Sequence, residues 1–345
     1  MTAPELTSQY LAMVLQRGWE LTATRIEARN RWFTGKSIAR CDIAGKSWGL
    51  IGAPGWAALR TGIGATFQEQ LDRAGCSGIP SIRRTLSGDL LHRADDRVWS
   101  LTEWMDGAPE YEQGNWTDGM LQQLGRAIGE LHRRGEALVA SGARPPAVPA
   151  RFWAGDWLPF GDWAAERWRT LNADPEVRGA PELEPLRESI ALGFDALPRL
   201  PRPSVRRLTL THDDLWTEHV LFSPPGRLTG IIDLEGLDVG DAVGDLAALL
   251  SDFAILDPER CAAVVRGYGA EVGVSKEDLA AALAVVIRHH LLTLITRIQL
   301  WCEKPDRRHD LINPVGYWLD SLRHAVGLNS EVWASDVLQR ARDSR

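Results

Sequence analysis

The chain has 345 residues, 44% hydrophobic and 25% charged, with a formal net charge of −7. That length allows one large two-lobed domain or two domains, and the acidic balance argues against broad nucleic-acid binding, which needs a positive footprint. The four cysteines, Cys41, Cys76, Cys261 and Cys302, are far apart with no CxxC pair, so neither a disulfide framework nor a zinc knuckle is expected.

The N-terminus, "MTAPELTSQYLAMVLQRGW", lacks the basic start and long apolar core of a secretion signal. After one short helix the first hundred residues read as strands and turns. "SIARCDIAGKSWGLIGA" alternates loosely around a Gly-Lys turn and predicts a hairpin. "ATFQEQLDRAG" predicts a helix ending at Gly75. "IPSIRRTL" and "RVWSLTEWM" predict two more strands. "TDGMLQQLGRAIGELHRRGEAL" then sets Leu121, Leu124, Ile128 and Leu131 at helical spacing behind Thr117 as N-cap. "SGARPPAVPARF" is a Pro-rich connector into the Trp-dense "FWAGDWLPFGDWAAERWRTL". Short strands return at "RLTLTHDD", "HVLF" and "LTGIIDL", and helices follow to the end. The most apolar window, "DLAAALAVVIRHHLLTLITRIQLW", is broken by Arg288, His289, His290 and Arg297, so it reads as a buried or amphipathic helix, not a membrane span. A cytoplasmic protein with no membrane or nucleic-acid partner is expected.

The chemistry concentrates in "LTLTHDDLWTEHVLF" and the following "SPPGRLTGIIDLEGLDVGD". Two short strands flank a Pro-Gly turn, and that hairpin brings its ends together. His212, Asp214 and His219, before or at the start of the first strand, therefore lie close to Asp233, which ends the second. Two carboxylates and a metal-competent side chain at one spot suit phosphoryl transfer from a nucleotide: one carboxylate takes the proton of an attacking hydroxyl, and another with a neutral ligand holds magnesium.

This segment resembles the catalytic segment of the aminoglycoside phosphotransferase and choline kinase family, whose fold is protein-kinase-like. The family pattern is His-x-Asp-Leu-x-x-x-Asn, an apolar strand, a turn, and an apolar strand ending in Asp. Here it reads His212-Asp213-Asp214-Leu215, then His219 where Asn is usual, then "VLF", then "GIIDLEG" with Asp233. The trailing "VGDAVGDLAALL" and the "LHRRG" helix before the loop fit too. The resemblance implies an α+β, two-lobed kinase-like fold. Its β-rich nucleotide-binding lobe would span 1–105. Its helical lobe would span 106–345, with the Trp-rich insertion at about 150–200. It further implies Asp214 as catalytic base, Asp233 as the main magnesium ligand and ATP or GTP as phosphate donor, with His212 structural. Asp213 stands where Gly is usual. His219 matches the His of the family's macrolide kinases, although magnesium prefers oxygen ligands.

The resemblance also calls for a cation on the third strand of the first lobe, paired with a Glu on the next helix. Glu69 fits the latter. The cation stays open. One register puts the position on Ile51, another makes "GWAALRTG" the strand and Arg60 the cation, and Lys36 and Lys46 are further options. "RWFTGK" resembles a segment near the N-terminus of maltokinase-like members, whereas "DIAGK" lacks the full phosphate-loop pattern. "WSLTEWMDG" resembles the interlobe linker whose backbone holds adenine, with Glu103 and Met105 there. Trp153, Trp157, Trp163 and Trp168 lie where the family builds its acceptor pocket, and Glu303, Asp306 and Asp310 form a modest acidic cluster. The expected function is transfer of a γ-phosphate to a hydroxyl of a small molecule, either an antibiotic (aminoglycoside or macrolide) or a sugar or other metabolite. Two alternatives are a catalytically weak nucleotide- or partner-binding protein of the same fold, and a metal-dependent hydrolase. The hydrolase lacks a second His pair at ligand spacing.

Overall fold

The computed structural model describes residues 7–30, 36–111, 115–142, 157–200, 207–312 and 316–343. Most of the "RWFTGK" stretch, the Pro-rich connector and Trp153 lie outside them, as do the side chains of Trp157 and Asp310.

Helix α1 (Ser8–Trp19) starts at Thr7, whose hydroxyl accepts from the Tyr10 N–H, and stops at Glu20 in the left-handed region. Strands β1 (Arg25–Asn30), β2 (Ser37–Ile43) and β3 (Lys46–Pro54) follow. The β2–β3 hairpin turns on Ala44 and Gly45, both with positive φ. That is the mirror-image two-residue turn favoured by strand twist. The turn therefore falls on Ala-Gly, one residue before the Gly-Lys expected, and Lys46 opens β3. Helix α2 (Ala58–Arg73) comes next, then β4 (Ile82–Arg83), β5 (His92–Ala94) and β6 (Arg97–Glu103). The sheet is antiparallel in the order β1-β2-β3-β6-β4, with β5 also on β6. Its outer face closes against α1 through Leu11, Leu15, Leu50, Trp99 and Leu101.

The second half is helical. Helix α3 (Asp118–Ala140) is capped by Thr117, as its sequence implies. Helices α4 (Trp157–Ala173), α5 (Pro175–Gly179) and α6 (Glu184–Ala196) lead to strand β7 (Leu208–Thr211), the hairpin of β8 (Val220–Ser223) and β9 (Arg227–Ile231), and β10 (Asp238–Asp241). The sequence reading missed β10, which pairs antiparallel with β7. Helices α7 (Val243–Ala248), α8 (Pro258–Gly269), α9 (Lys276–Glu303), α10 (Arg308–Ile312), α11 (Gly316–Gly327) and α12 (Ser330–Asp343) complete the chain. The α3 and α8 backbones nearly touch: a Cβ on Gly267 would lie 1.9 Å from the Gln122 carbonyl oxygen. Helix α9 begins with a Ser275–Asp278 capping box. It is long and apolar enough to span a bilayer, yet its most apolar window is 72% buried inside this fold, as a core helix is.

Helix α2 belongs to both halves. It follows the sheet in sequence, but Ile63, Phe67 and Leu71 pack into the large helical core rather than the α1-facing cluster. It begins at Ala58, so "GWAALRTG" is the start of a helix and Arg60 does not sit on a strand.

Candidate active site

Strand β7 delivers the loop. After Thr211 the chain needs a sharp reversal, and Asp213 supplies it with φ of 66°. Asp tolerates the left-handed region better than most residues, which accounts for an Asp at a position where Gly is usual. The reversal aims two consecutive N–H groups at one carboxylate. His212 N–H donates to Asp245 Oδ2 at 2.7 Å and Asp213 N–H to Asp245 Oδ1 at 3.1 Å. Asp245, 3% exposed on α7, also receives His132 Nε2–H from α3 at 3.0 Å. The Tyr268 hydroxyl lies 2.6 Å from His132 Nδ1. Burial alone would raise the Asp245 pKa; the bond and charge of His132 outweigh it and hold the carboxyl below its usual value. Sequence reasoning gave Asp245 no role, although the "DLA" and "LHRRG" matches held its signal.

The His212 ring is fully buried, and its Nε2–H donates to the Ile232 carbonyl at 3.0 Å. It thereby ties the loop to the end of β9, and burial pushes its pKa down. Asp214 Oδ1 accepts from Trp216 Nε1–H at 2.8 Å. His219 donates Nδ1–H to the Asp214 carbonyl at 2.7 Å. A carbonyl only accepts, so this bond fixes the tautomer and leaves the Nε2 lone pair pointing away, 3.3 Å from Asp233 Oδ2. Asp233 itself has φ of 63° at the end of the hairpin. One donor atom each from Asp214, His219 and Asp233 lies within 4.8 Å of the others. Of the four residues that the hairpin brings together, Asp214, His219 and Asp233 converge, while His212 instead ties the loop to the Ile232 carbonyl.

This donor set fits a divalent cation. His219 Nε2 and Asp233 Oδ2 face each other at 3.3 Å, with a carboxylate oxygen of Asp214 within 4.8 Å of both. Two carboxylates supply the hard oxygens magnesium prefers, and the imidazole adds a borderline donor.

Two cavities flank this point, one lined by Asp233 and the other by Asp214. The larger, about 380 Å³, lies under the sheet and is lined by Ile38 and Ile51 above, Leu221 and Ile232 below, and Met105 at one end. The smaller, about 210 Å³, lies among the helices beside Asp214, with Trp216, Asp252, Val285, Val286 and His289 in its wall. Asp252 sits in a π-helical turn, Leu249–Phe253, and burial pushes its pKa up to about 7. The Tyr317 hydroxyl reaches it at 3.1 Å. Burial lowers His289 to about 4.

The remaining expected residues divide. Glu103 ends β6 and holds Ser81 Oγ at 3.1 Å, and both it and Met105 line the large cavity. Arg60 points elsewhere, donating to the Gly236 carbonyl at 3.0 Å. Glu69 is engaged by Arg84 at 2.6 Å through each oxygen and by Arg73 at 3.0 Å. It therefore meets no cavity-lining cation among the described residues. Lys46 pairs with Glu103 at 3.4 Å. Among the expected cations Lys36 is the one that reaches Asp233: its Nζ lies 2.8 Å from Asp233 Oδ1 and 3.0 Å from Glu235 Oε2. Trp163 and Trp168 of α4 do not line the cavity beside Asp214, and Trp168 packs on the helical core. The tryptophan in that wall is Trp216.

A sheet lobe over a helical lobe, with the loop and hairpin between them, defines the kinase-like α+β class. Solved structures share this fold. Spectinomycin phosphotransferase APH(9)-Ia, crystallised with ADP and spectinomycin, matches with TM-score 0.66 at 15% identity, covering 98% of this chain and 99% of that one. An aminoglycoside phosphotransferase from Alicyclobacillus acidocaldarius matches with TM-score 0.63 at 14% identity, over 99% and 98%. Macrolide 2'-phosphotransferase MphH from Brachybacterium faecium matches with TM-score 0.58 at 16% identity, over 89% and 99%. At such identities the likeness shows the fold alone. No curated protein sequence matches the chain. The model of the phosphotransferase enzyme family matches residues 55–283, and the chain belongs to that family. The enzyme class expected from the sequence, a phosphotransferase, is the one this family describes.

Proposed function

We propose that the protein transfers the γ-phosphoryl group of ATP or GTP to a hydroxyl of a small molecule. The observation that carries this reading is the convergence of Asp214, His219 and Asp233, with Asp214 lining one cavity and Asp233 the other. The cavity under the sheet takes the nucleotide, of the kind crystallised with the spectinomycin enzyme. Its adenine lies between Ile38 and Ile51 above and Leu221 and Ile232 below, with its edge along the Glu103–Met105 backbone. The cavity beside Asp214 takes the acceptor. Asp214 Oδ1 is held by Trp216, which turns Oδ2 to the acceptor hydroxyl, orients it and takes its proton as the oxygen attacks phosphorus. Asp233 and His219 would hold magnesium, which would supply positive charge to offset that developing on the transferring phosphoryl group. The His219 tautomer makes Nε2 the ligand atom.

The acceptor is a hydroxylated antibiotic, aminoglycoside or macrolide, or a sugar or metabolite. With an antibiotic acceptor the enzyme confers resistance. Its site of action is the cytoplasm, where the nucleotide is. Residues 1–105 form the nucleotide lobe and 106–345 the helical lobe. A nucleotide-consumption assay with magnesium over a panel of hydroxylated acceptors tests the reading. Acceptor-dependent turnover that vanishes in Asp214→Ala is expected. Turnover that survives Asp214→Ala overturns the mechanism, and nucleotide binding without turnover on any acceptor supports the catalytically weak alternative.

A further inference from the structure

The kinase-like resemblance calls for a cation on the third strand, and this chain has Ile51 there, lining the nucleotide cavity opposite Ile38 of β2. Arg60 and Lys46, the other options, do not line that cavity. Among its described lining residues Lys36 is the single cation. It stands immediately before Ser37, the first residue of β2. From there its side chain reaches Asp233 and Glu235 together.

Resting on the proposed function, the geometry assigns the nucleotide-phosphate cation to Lys36 at the head of β2 and its anchoring carboxylate to Glu235, in place of a β3 cation paired with a Glu on α2.

Three observations carry this. First, the helix carboxylate is already committed. Both oxygens of Glu69 face Arg84, which leaves the cavity side of α2 to Thr61, Ala65 and Gln68. Second, Glu235 is built into the same turn as Asp233. That turn is clamped to α2, where a Cβ on Gly64 would come within 2.8 Å of the Leu234 carbonyl oxygen, and by Arg60 on Gly236. The carboxylate pair thus keeps a fixed position relative to the helix without any role for Glu69. Third, Lys36 faces both carboxylates at once, its Nζ 2.8 Å from Asp233 Oδ1 and 3.0 Å from Glu235 Oε2. Glu235 Oε1 is buried without a hydrogen-bond partner among the described residues, and Oε2 faces Lys36.

The chemistry follows from what an ammonium group can do. Three donors on a flexible stem let Lys36 keep Glu235 while a phosphate oxygen replaces Asp233 as its other partner. Asp233 Oδ1 is then released to the metal position. Before nucleotide binds, Lys36 neutralises a pair of neighbouring carboxylates that would otherwise repel.

Equilibrium titration of ATP and adenosine, with chelator present, into wild type, Lys36→Ala, Lys36→Arg and Lys46→Ala tests the assignment. Lys36→Ala is expected to weaken ATP binding about 10- to 100-fold, the loss of one charge-assisted contact. Adenosine binding should be unchanged, and Lys36→Arg should recover most of the ATP affinity. A melting curve of each variant confirms that it is folded. ATP binding unchanged in Lys36→Ala, equal losses for ATP and adenosine, or the loss appearing in Lys46→Ala instead, overturns the assignment. Wild-type protein that binds neither ligand removes the proposed function, and this assignment with it.

Discussion

The two walls of the cleft reach their geometry by different means. On the helical side each reactive group is fixed by backbone. Asp245 collects the N–H groups of His212 and Asp213, His219 donates to the Asp214 carbonyl, and His212 holds the Ile232 carbonyl. On the sheet side the charge arrives on a long flexible side chain from the edge of a strand, and its partners are carboxylates of the opposite wall. A carboxylate that must meet a defined proton or metal tolerates little displacement, so the loop, hairpin and helix around it are specified together. A point charge that must lie near phosphates can be delivered from several strand positions. The first wall therefore keeps a recognisable motif, and the second does not.

The sharpest way to break this contrast is at Asp214. Asp214→Ala should lower turnover by about 10²- to 10⁴-fold, the usual worth of a positioned general base, while ATP affinity stays within error of wild type. A matching loss of ATP affinity would mean that the base and the nucleotide site are not separate. Asp245→Ala tests the claim that backbone bonds, not side-chain charge, set the helical wall. It strands two buried N–H groups and the His132 ring, so a destabilisation of about 3–5 kcal/mol is expected by urea titration. A loss below about 1 kcal/mol would show that the loop holds itself.

His219 probes the boundary between the walls. Replacing it by Ala should weaken magnesium binding to the nucleotide complex by about 10- to 100-fold, whereas His219→Asn should recover much of it, because an amide oxygen suits the metal better than imidazole does. Magnesium titration of nucleotide-dependent fluorescence reads both. Equal metal affinity in the Ala variant would take His219 out of the ligand set.

The extent to which the sequence foretold this molecule follows the same division. "HDD", "VLF" and "GIIDLEG" were readable because strand, turn and carboxylate occur at fixed separations along one stretch. Their convergence needed only a hairpin. Thr117 and the helical spacing behind it were readable for the same local reason. Arg60 was misplaced because "GWAALRTG" has no periodicity long enough to separate strand from helix, and α2 begins there on tertiary packing of Ile63 and Phe67. Strand β10 was missed because "DVGD" has no strand pattern of its own; pairing with β7 creates it. The ion pair of Lys36 joins residues 197 positions apart, across the two lobes, which no local pattern encodes. The Trp216–Asp214 bond lies within the motif itself, yet the sequence says nothing of where an indole N–H points.

That bond sets a further contrast within the helical wall, between a group that reacts and one that positions it. Trp216 donates to Oδ1, and its ring leans on His289 and Trp318. Trp216→Phe keeps most of the ring packing and removes the donor. Turnover should fall about tenfold, a share of what a hydrogen bond to a charged group contributes. Turnover equal to wild type would reduce Trp216 to packing alone.

A last contrast concerns Asp252, the acid in the wall of the cavity beside Asp214. Its folded-state pKa of about 7 lies above the ordinary 3.8, and burial is the main cause. The folded protein therefore binds a proton that the unfolded chain has released, so this carboxyl's contribution to stability falls as pH rises from about 4 to about 7 and is level beyond. Asp252→Asn cannot ionise, and its amide oxygen still accepts from Tyr317. The variant should match wild type near pH 4 and exceed it increasingly as pH rises to about 7, read as the difference in melting temperature across that range. A wild-type curve parallel to that of the variant would mean that Asp252 is solvated or paired in solution. The acceptor cavity would then hold a standing negative charge at neutral pH, which favours a cationic acceptor over an uncharged one.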